Sequence, residues 1–264
     1  APALVMMRVV ARLLQRFVEP ARPCSYLDQQ VASLAYQVML DVQPAELESL
    51  LERGWRRFGP GYFRPACRTC AACVSLRVPV HEFVPSRNQR RALRNGARFR
   101  LVVGPVRVDD ERLGLYARWH AGRERARGWE PSPLDEHDYA DQFAFPHPCA
   151  RELAYYDDGP PDGGAPRLIG VGLCDETPRA WSAIYFFHHP DYARYSPGIL
   201  HVLSLIRLAR QQGKPHVYLG FRVKDCASMA YKALFRPHEL LKGRPAPDEA
   251  PSWQLCPGLR ESDE

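Results

Sequence analysis

The chain has 264 residues, a formal net charge of +6 and eight cysteines. This length allows one large domain or two small ones, either of which would bury roughly 70–75% of its unfolded surface without needing a covalent staple. The modest charge argues against a dedicated chromosome-binding module, so we expect a local basic surface and a partner the size of a tRNA. Eight cysteines without a secretory leader predict reduced thiols in the cytoplasm.

The first elements are an apolar start, a strand and a short helix. Arginines interrupt residues 3–18, which are too few for the roughly 20 that a membrane span requires, so we interpret residues 1–23 as an amphipathic extension. Residues 34–40 are typical of a strand. Pro44 opens a helix whose apolar side chains share one face, and Gly54 ends it.

A cysteine-rich loop comes next, followed by a strand predicted over residues 76–83. Cys67, Cys70 and Cys73 recur every three residues. Zinc requires four ligands, so Cys24 would have to complete such a site, and an iron–sulfur cluster would use the same four thiolates. The alternative is that these cysteines are free thiols in a packed turn.

An arginine-rich helix follows this strand. Ser86 is in position to cap it, with Gln89 in capping-box register and Asn95-Gly96 as its end. Helical spacing places four arginines on one face: Arg87, Arg90, Arg91 and Arg94. We expect this face, extended by Arg56 and Arg57, to bind tRNA phosphates. A solvated charged face is the alternative.

The second half alternates strands and helices in a regular order. Strands are predicted at 98–108, 152–156, 168–175, 181–187 and 216–219, and helices at 109–127, 135–143, 198–211 and 227–235. The order matches the acyl-CoA-dependent N-acetyltransferase fold, in which the sheet splays to admit an acyl donor. We therefore predict an α/β (α+β) fold with a GNAT-like mixed sheet at 98–242, a smaller α+β domain carrying the cysteine cluster at 24–97, and a flexible tail at 243–264.

The loop before the long helix bears on the acyl donor. A coenzyme A pyrophosphate needs converging backbone N–H groups at a helix N-terminus, commonly with more than one glycine. Here only Gly198 is available, and Pro197 removes one donor. This loop is a poor pyrophosphate cradle, which favours a different acyl donor.

Several segments carry a resemblance to a known family. The two long blocks are Tyr218-Leu219-Gly220-Phe221 and the run from Cys226 to Lys232, which is followed by Phe235-Arg236-Pro237. Shorter agreements lie at 24–27, 63–73, 77–80, 83–91 and 182–185. Over about residues 24–241 the chain resembles the aminoacyl-tRNA protein transferases, most closely their bacterial branch, the aspartate/glutamate leucyltransferases. It departs from the family at Pro197, where leucine is usual, and at Arg222, where an aromatic residue is usual.

The resemblance implies transfer of leucine from leucyl-tRNA to proteins that begin with Asp or Glu, which marks them for degradation in the N-degron pathway. Eukaryotic relatives transfer arginine. They are reported to be capable of binding an iron–sulfur cluster, so the resemblance permits such a cluster here. The short chain and the Cys-x2-Cys-x2-Cys run favour the leucine branch. Arginyl transfer, an acetyl-CoA-dependent N-acetyltransferase and a non-catalytic RNA binder remain alternatives.

The reaction needs positioning more than a nucleophile, because an aminoacyl ester is already activated. The incoming amine needs a proton acceptor, and Asp175, at the end of a predicted strand, is a candidate, with a turn acid as the alternative. Tyr231 and Lys232 lie in the most family-like block and are further catalytic candidates. Lys232 could bind the acidic acceptor or a tRNA phosphate, or it could be a surface lysine.

Two groups of residues are candidates for binding the substrates. Arg77 opens a strand and could offer a bidentate fork to the acceptor's carboxylate, with a structural ion pair as the alternative. Arg222 is a second candidate for binding the acceptor. We expect Ser196 and Gly198 to contact the end of the tRNA. No cofactor is required by this chemistry, and a metal would be confined to the cysteine cluster.

Overall fold

A computed structural model describes residues 10–127, 133–159 and 163–257. The strands of this part of the chain are β1 (Arg12–Val18), β2 (Arg22–Pro23), β3 (Val31–Ala32), β4 (Leu34–Leu40), β5 (Arg56–Phe58), β6 (Gly61–Pro65), β7 (Val74–Pro79), β8 (Phe99–Gly104), β9 (Ala150–Asp157), β10 (Arg167–Glu176), β11 (Ala180–His188), β12 (His216–Arg222), β13 (His238–Leu241) and β14 (Trp253–Cys256). They form a four-stranded antiparallel sheet, an eight-stranded mixed sheet and a two-stranded ribbon.

The helices connect and cover these sheets. They are α1 (Pro44–Glu52), α2 (Arg87–Gly96), α3 (Asp110–Arg127), α4 (Glu136–Tyr139), α5 (Pro197–Gln211) and α6 (Ala227–Ala230). A π-helical turn at Ala140–Ala144 extends α4, and 3-10 turns lie at Pro190–Tyr195 and Tyr231–Leu234. The mixed α/β class and the predicted order of elements in the second half are confirmed.

Capping residues set the bounds of α2 as the sequence predicts. The Ser86 hydroxyl accepts a hydrogen bond from the Gln89 backbone N–H at 3.4 Å, and the Gln89 side-chain oxygen accepts one from the Ser86 N–H at 2.8 Å. This is the reciprocal arrangement of a capping box. The final predicted helix is different, because only one α-helical turn forms and residues from Tyr231 onward continue as a 3-10 turn.

The eight-stranded sheet has the strand order β14-β13-β7-β12-β11-β10-β9-β8. Strands β8 to β11 are an antiparallel meander, and β11 and β12 are parallel neighbours. Their pairing covers only Ala180–Ser182 against His216–Tyr218. Beyond Ser182 and Tyr218 the two strands separate, which is the splay that the N-acetyltransferase-like order predicts.

The two predicted domains share this sheet. Strand β7 lies in the segment 24–97, yet it pairs with β12 and β13 of the segment 98–242. Its buried Leu76 and Val78 belong to the same apolar cluster as Val217 and Leu205. The division at residue 97 stays a prediction about sequence segments, and the central sheet crosses it.

Both faces of the sheet are covered, because successive strand residues point to opposite faces. Leu219 packs into the cluster beneath α2 and α5, whereas Tyr218 packs with α1 and the four-stranded sheet. A third cluster joins α3 and the π-helical turn to β9, β10 and β11. The opening between β11 and β12 therefore lies inside the protein, below the four-stranded sheet.

Both terminal segments contain regular structure that the sequence analysis did not predict. In the segment interpreted as an amphipathic extension, β1 pairs with β4, and Phe17 stacks on Tyr36 with ring centres 5.2 Å apart. In the segment expected to be flexible, β14 pairs with β13. Residues 1–9 and 258–264 lie outside the described residues. Across the described ranges, none of the helices combines the length and apolar character needed to cross a membrane.

Replacing Gly59 by alanine should destabilise the fold by about 2–4 kcal/mol. Gly59 has a φ of +51°, and an added methyl group would lie 2.2 Å from the Asp141 carbonyl oxygen. Urea unfolding measures the change. Gly104→Ala is the matched control, since nothing lies within 4 Å of the added methyl group there. Equal unfolding midpoints for the two variants would contradict this account of the turn.

Candidate active site

The opening between β11 and β12 holds the side chain of Arg56, which reaches it from β5. Its Nη1 donates a hydrogen bond to the Ser182 hydroxyl at 3.1 Å. The guanidinium carbon lies 5.4 Å from the centre of the Tyr218 ring and 6.0 Å from that of Phe221. The side chain thus lies between the separating strands, against two aromatic rings.

Arg56 is unusual because its charge is buried without a contacting counter-ion among the residues that the structure describes. The residue is only 7% exposed. Its Nε and Nη2 have no hydrogen-bond partner among the described residues. Burial lowers the pKa of Arg56 to about 10, so it stays protonated at neutral pH. Because unpartnered buried charges are costly and rare, these two nitrogens mark a place where an anion would be stabilised.

Lys232 lies beside Arg56. Its Nζ donates to the Phe221 carbonyl oxygen at 2.8 Å. A methyl group added at Gly220 would lie 3.5 Å from Lys232 Nζ and 3.8 Å from Arg56 Nε, so both nitrogens border the same point of β12. Burial, and then the charge of Arg56, lower the pKa of Lys232 to about 7. Near neutral pH a substantial fraction of this amine is unprotonated and able to accept a proton.

Tyr231 and Arg222 lie next to these residues in the chain. Tyr231 is 38% exposed and begins the 3-10 turn that also carries Lys232. Arg222 ends β12, and its Nε is buried without a hydrogen-bond partner in the described part of the chain. Arg222 is thus the chain neighbour of Phe221, and Tyr231 is the chain neighbour of Lys232, whose Nζ contacts the Phe221 carbonyl oxygen.

Asp175, the proton acceptor suggested by the sequence, is buried in an ion pair with Arg57. It is 1% exposed, and both carboxylate oxygens accept hydrogen bonds from Arg57 Nε at 3.1 Å. Arg57 Nη2 also donates to Asp175. This pairing occupies the carboxylate and favours the structural alternative, while the catalytic role of Asp175 stays a prediction.

The sequence predicts that Arg56 and Arg57 extend the arginine face of α2, and this prediction is wrong. Both are buried within β5, the edge strand of the four-stranded sheet. Neighbouring side chains in a strand point to opposite faces, and here both faces of β5 are covered. The sequence shows that the two side chains of a strand point to opposite faces. It does not show that both faces are covered, because the covering elements come from distant parts of the chain.

Arg77 makes the ion pair that was the alternative to acceptor binding. Its Nε lies 2.5 Å from Glu239 Oε2, and its Nη1 donates to the Tyr218 hydroxyl at 3.2 Å. The guanidinium also lies over the Trp253 ring, 4.3 Å from its centre. Hydrogen bonds from His216 and Arg77 hold the pKa of Glu239 at about 2, against the opposing effect of burial. The fork predicted to bind a substrate carboxylate is engaged within the protein.

The arginine face of α2 is exposed as predicted. Arg87, Arg90, Arg91 and Arg94 are exposed, while Gln89, Ala92 and Gly96 on the opposite side are buried. None of the four arginines forms an ion pair with a carboxylate in the ranges that the structure covers. Arg98 and Arg100, by contrast, pair with Asp157 and Asp158. The helix presents four uncompensated positive charges to solvent.

The loop before α5 has a constrained backbone. Ser196 is exposed and takes a left-handed conformation with a φ of +55°, and Pro197 occupies the first helical position. The backbone N–H groups of Ile199 and Leu200 already donate to the Ser196 carbonyl. Gly198 is half-buried, with Phe186 at 4.0 Å from the position of an added methyl group.

The cysteine cluster consists of half-buried free thiols at Cys24, Cys67, Cys70 and Cys73. Burial, and then the other three cysteines, raise the pKa of Cys73 to about 11. Arg244 fixes the loop by donating to the carbonyl oxygens of Cys67 and Cys70, at 3.0 and 2.8 Å. Over residues 10–127, 133–159 and 163–257, no group of three or more His, Cys, Asp or Glu residues is arranged to hold a metal ion.

A cavity of about 670 Å3 lies apart from the opening in the sheet, bordered by Gly59, Tyr62 and His147. His147 Nε2 lies 3.1 Å from the Tyr62 hydroxyl. Burial, and then Arg57, lower the pKa of His147 to about 4, so it is neutral at pH 7. The described residues that line this cavity include no unpartnered cation of the kind found at the opening between β11 and β12.

Comparisons with known proteins identify similar chains. One family model, described as the N terminus of arginine-tRNA-protein transferase, matches residues 22–91, and a second, described as its C terminus, matches residues 111–242. An aspartate/glutamate leucyltransferase of Helicobacter hepaticus is 33% identical, over 93% of this chain and 99% of the relative. One of Shewanella oneidensis is 36% identical, over 83% and 88%. The crystal structure of FemX has a TM-score of 0.49 and 10% identity, over 83% of this chain and 85% of that one.

Proposed function

Because the chain belongs to the arginine-tRNA-protein transferase family, we propose that it transfers leucine from leucyl-tRNA to the N-terminal Asp or Glu of a protein. It is an aminoacyltransferase, and its relatives named above are aspartate/glutamate leucyltransferases. The observation that carries the proposal is the buried cationic opening at Arg56 and Lys232. A cationic opening suits an acidic acceptor. The partly neutral amine of Lys232 suits removal of a proton from the α-amine of that acceptor.

The chemistry requires little beyond positioning. The ester of an aminoacyl-tRNA is already activated, so holding the acceptor amine against its carbonyl carbon supplies roughly 7–11 kcal/mol of the barrier reduction. The neutral amine attacks the carbonyl carbon and loses a proton to a base. The ester C–O bond then breaks, and the tRNA 3′ oxygen leaves as a hydroxyl after taking a proton back from that base. Lys232 is the proposed base, since its pKa is near 7. Tyr231, on the same turn, stays a candidate for contact with the reacting groups.

The donor tRNA binds, in this proposal, along the arginine face of α2. The N-terminal end of α5, with Ser196 and Gly198, receives its aminoacylated 3′ end. The missing N–H at Pro197 disfavours a coenzyme A pyrophosphate at that position. We place the reaction in the cytoplasm, where aminoacyl-tRNAs are used.

Changing Arg87, Arg90, Arg91 and Arg94 to glutamine should reduce the salt dependence of tRNA binding. Four phosphate contacts contribute about −3 to −4 to the slope of log K against log salt. Binding of leucyl-tRNA measured from 50 to 300 mM salt tests this. Arg16→Gln, an exposed arginine on β1, is the control and should leave the slope unchanged. An unaltered slope in the quadruple variant would assign this face to solvent.

A transfer assay tests the proposed function directly. The protein is mixed with leucyl-tRNA or arginyl-tRNA and with peptides that begin with Asp, Glu or Ala. We expect leucine to be added to the Asp and Glu peptides and not to the Ala peptide. Transfer from arginyl-tRNA alone would assign the chain to arginyl transfer, and tRNA binding without any transfer would leave only RNA binding.

The cysteine cluster enters the proposal as a candidate site for zinc or an iron–sulfur cluster that the reaction itself does not need. Cysteine binds a metal as the thiolate. Because the raised pKa of Cys73 means that its thiol is protonated at neutral pH, metal binding would have to displace that proton. Measuring zinc and iron in anaerobically purified protein and in Cys70→Ser tests the site. Substoichiometric metal in both proteins would identify the cysteines as free thiols.

A further inference from the structure

Two adjacent arginines of β5 differ in one respect that points to a ligand. Arg57 uses its Nε and Nη2 edge to bind both oxygens of Asp175. Arg56 has the same edge buried, and neither nitrogen has a partner in the ranges that the structure covers. Its remaining nitrogen, Nη1, is held by Ser182. The Arg57 pair therefore shows, within the same molecule, the group that would complete Arg56: a carboxylate.

We propose that Arg56 selects the acceptor protein by binding the side-chain carboxylate of its N-terminal residue through Nε and Nη2. This inference rests on the proposed transfer reaction and assigns its acceptor site to a residue that sequence reasoning placed on the RNA surface. A guanidinium edge with two parallel N–H groups matches a carboxylate in geometry as well as charge.

The position of Lys232 supports this assignment. Its Nζ and the Arg56 Nε lie 3.5 and 3.8 Å from the same point beside Gly220. In an N-terminal Asp or Glu, the α-amine and the side-chain carboxylate are only a few bonds apart. A carboxylate bound at Arg56 thus brings the α-amine towards Lys232, so that the two neighbouring side chains divide recognition of the acid and uptake of the proton between them.

The surroundings favour a carboxylate over an RNA phosphate. Arg56 is buried against the Tyr218 and Phe221 rings, whereas the arginines of α2 are exposed and available to a polynucleotide backbone. Arg77, the other candidate receptor, is paired with Glu239. Of these arginines, Arg56 combines burial with a free bidentate edge.

The test compares wild type, Arg56→Met, Arg56→Lys and the control Arg16→Met, an exposed position on β1. Each protein is assayed with peptides starting with Asp or with Asn, which has nearly the same shape but no charge. Binding of leucyl-tRNA and the unfolding temperature are measured alongside. Transfer by the wild type to the Asp peptide tests the proposed function separately from the role of Arg56.

For Arg56→Met we expect transfer to the Asp peptide to fall at least 100-fold, and the preference for Asp over Asn to fall towards one. Leucyl-tRNA binding should stay within twofold of wild type, and the unfolding temperature should be unchanged or higher, because an unpaired buried charge is removed. Arg56→Lys should retain part of the preference for Asp, since it keeps the charge but not the fork.

Three results would overturn the proposal. The first is an unchanged Asp-over-Asn preference in Arg56→Met with weakened leucyl-tRNA binding, which would assign the site to a phosphate of the RNA. The second is a lowered unfolding temperature with proportional loss of transfer to both peptides, which would make Arg56 structural. The third is an unchanged preference together with unchanged tRNA binding. Absence of transfer by wild type would instead reject the leucyl transfer on which this inference rests.

Discussion

Replacing Lys232 by methionine should lower the rate of leucyl transfer about 10²- to 10⁴-fold, the usual contribution of a positioned base. The methionine side chain fills similar space but accepts no proton. Folding should be retained, because the amine already lies in surroundings that disfavour its charge and lower its pKa to about 7. An apolar side chain suits such surroundings. Single-turnover rates at saturating peptide measure the effect. Lys242→Met, at an exposed lysine, is the matched control and should transfer at the wild-type rate.

The pH dependence of the same rate provides a second measurement of this role. A lysine accepts a proton only in its neutral form, so kcat should be low at pH 5.5 and rise through about pH 7 to a plateau. The direction follows from the lowered pKa, since an ordinary lysine would not become neutral until far higher pH. In Lys232→Met the residual rate should lack this inflection. A profile with the same inflection in the variant would assign proton removal to another group.

Changing Asp175 to asparagine should lower the free energy of unfolding by about 3–5 kcal/mol, because it leaves the buried Arg57 charge without its partner. Guanidinium unfolding measures the loss. Arg57→Met should have a similar cost, and the double variant should lose less than the sum of the two, since no unpaired charge remains. Asp158→Asn is the control, because Asp158 and Arg100 form an exposed pair, and its change should be much smaller.

The Asp175→Asn variant also separates the structural role from the catalytic one suggested by the sequence. A structural ion pair predicts low stability with transfer recovered in the fraction that stays folded. A proton acceptor predicts the reverse, a stable protein without transfer. The latter result would restore Asp175 as the base and remove Lys232 from that role.

The elements that could be predicted from the sequence are those specified by local chemistry. The capping box at Ser86 and Gln89 identifies α2, and the apolar residues after Pro44 identify α1. The strands of the meander follow from their runs of apolar residues, and their order indicates the fold class. In each case the signal lies within about ten residues of the element.

What was missed depends on contacts between distant segments. Arg57 and Asp175 are far apart in the chain, as are Arg77 and Glu239, and nothing local indicates that they meet. The short strands β5, β6, β13 and β14 are stabilised by neighbours rather than by their own residue pattern. Arg56 was assigned to the surface because burial of an arginine is unusual. Lys232, in contrast, was a candidate because of the family-like block around it.

The place of β7 in the sheet has a consequence for biosynthesis. Residues 74–79 leave the ribosome well before both of their pairing partners, 216–222 and 238–241, have been made. Until then Leu76 and Val78 lack the two strands that flank them in the finished sheet. A nascent chain with such an unpaired strand is exposed to aggregation until its partners have been made. Stalled or truncated products that end before residue 216 should therefore depend on chaperones to stay in solution.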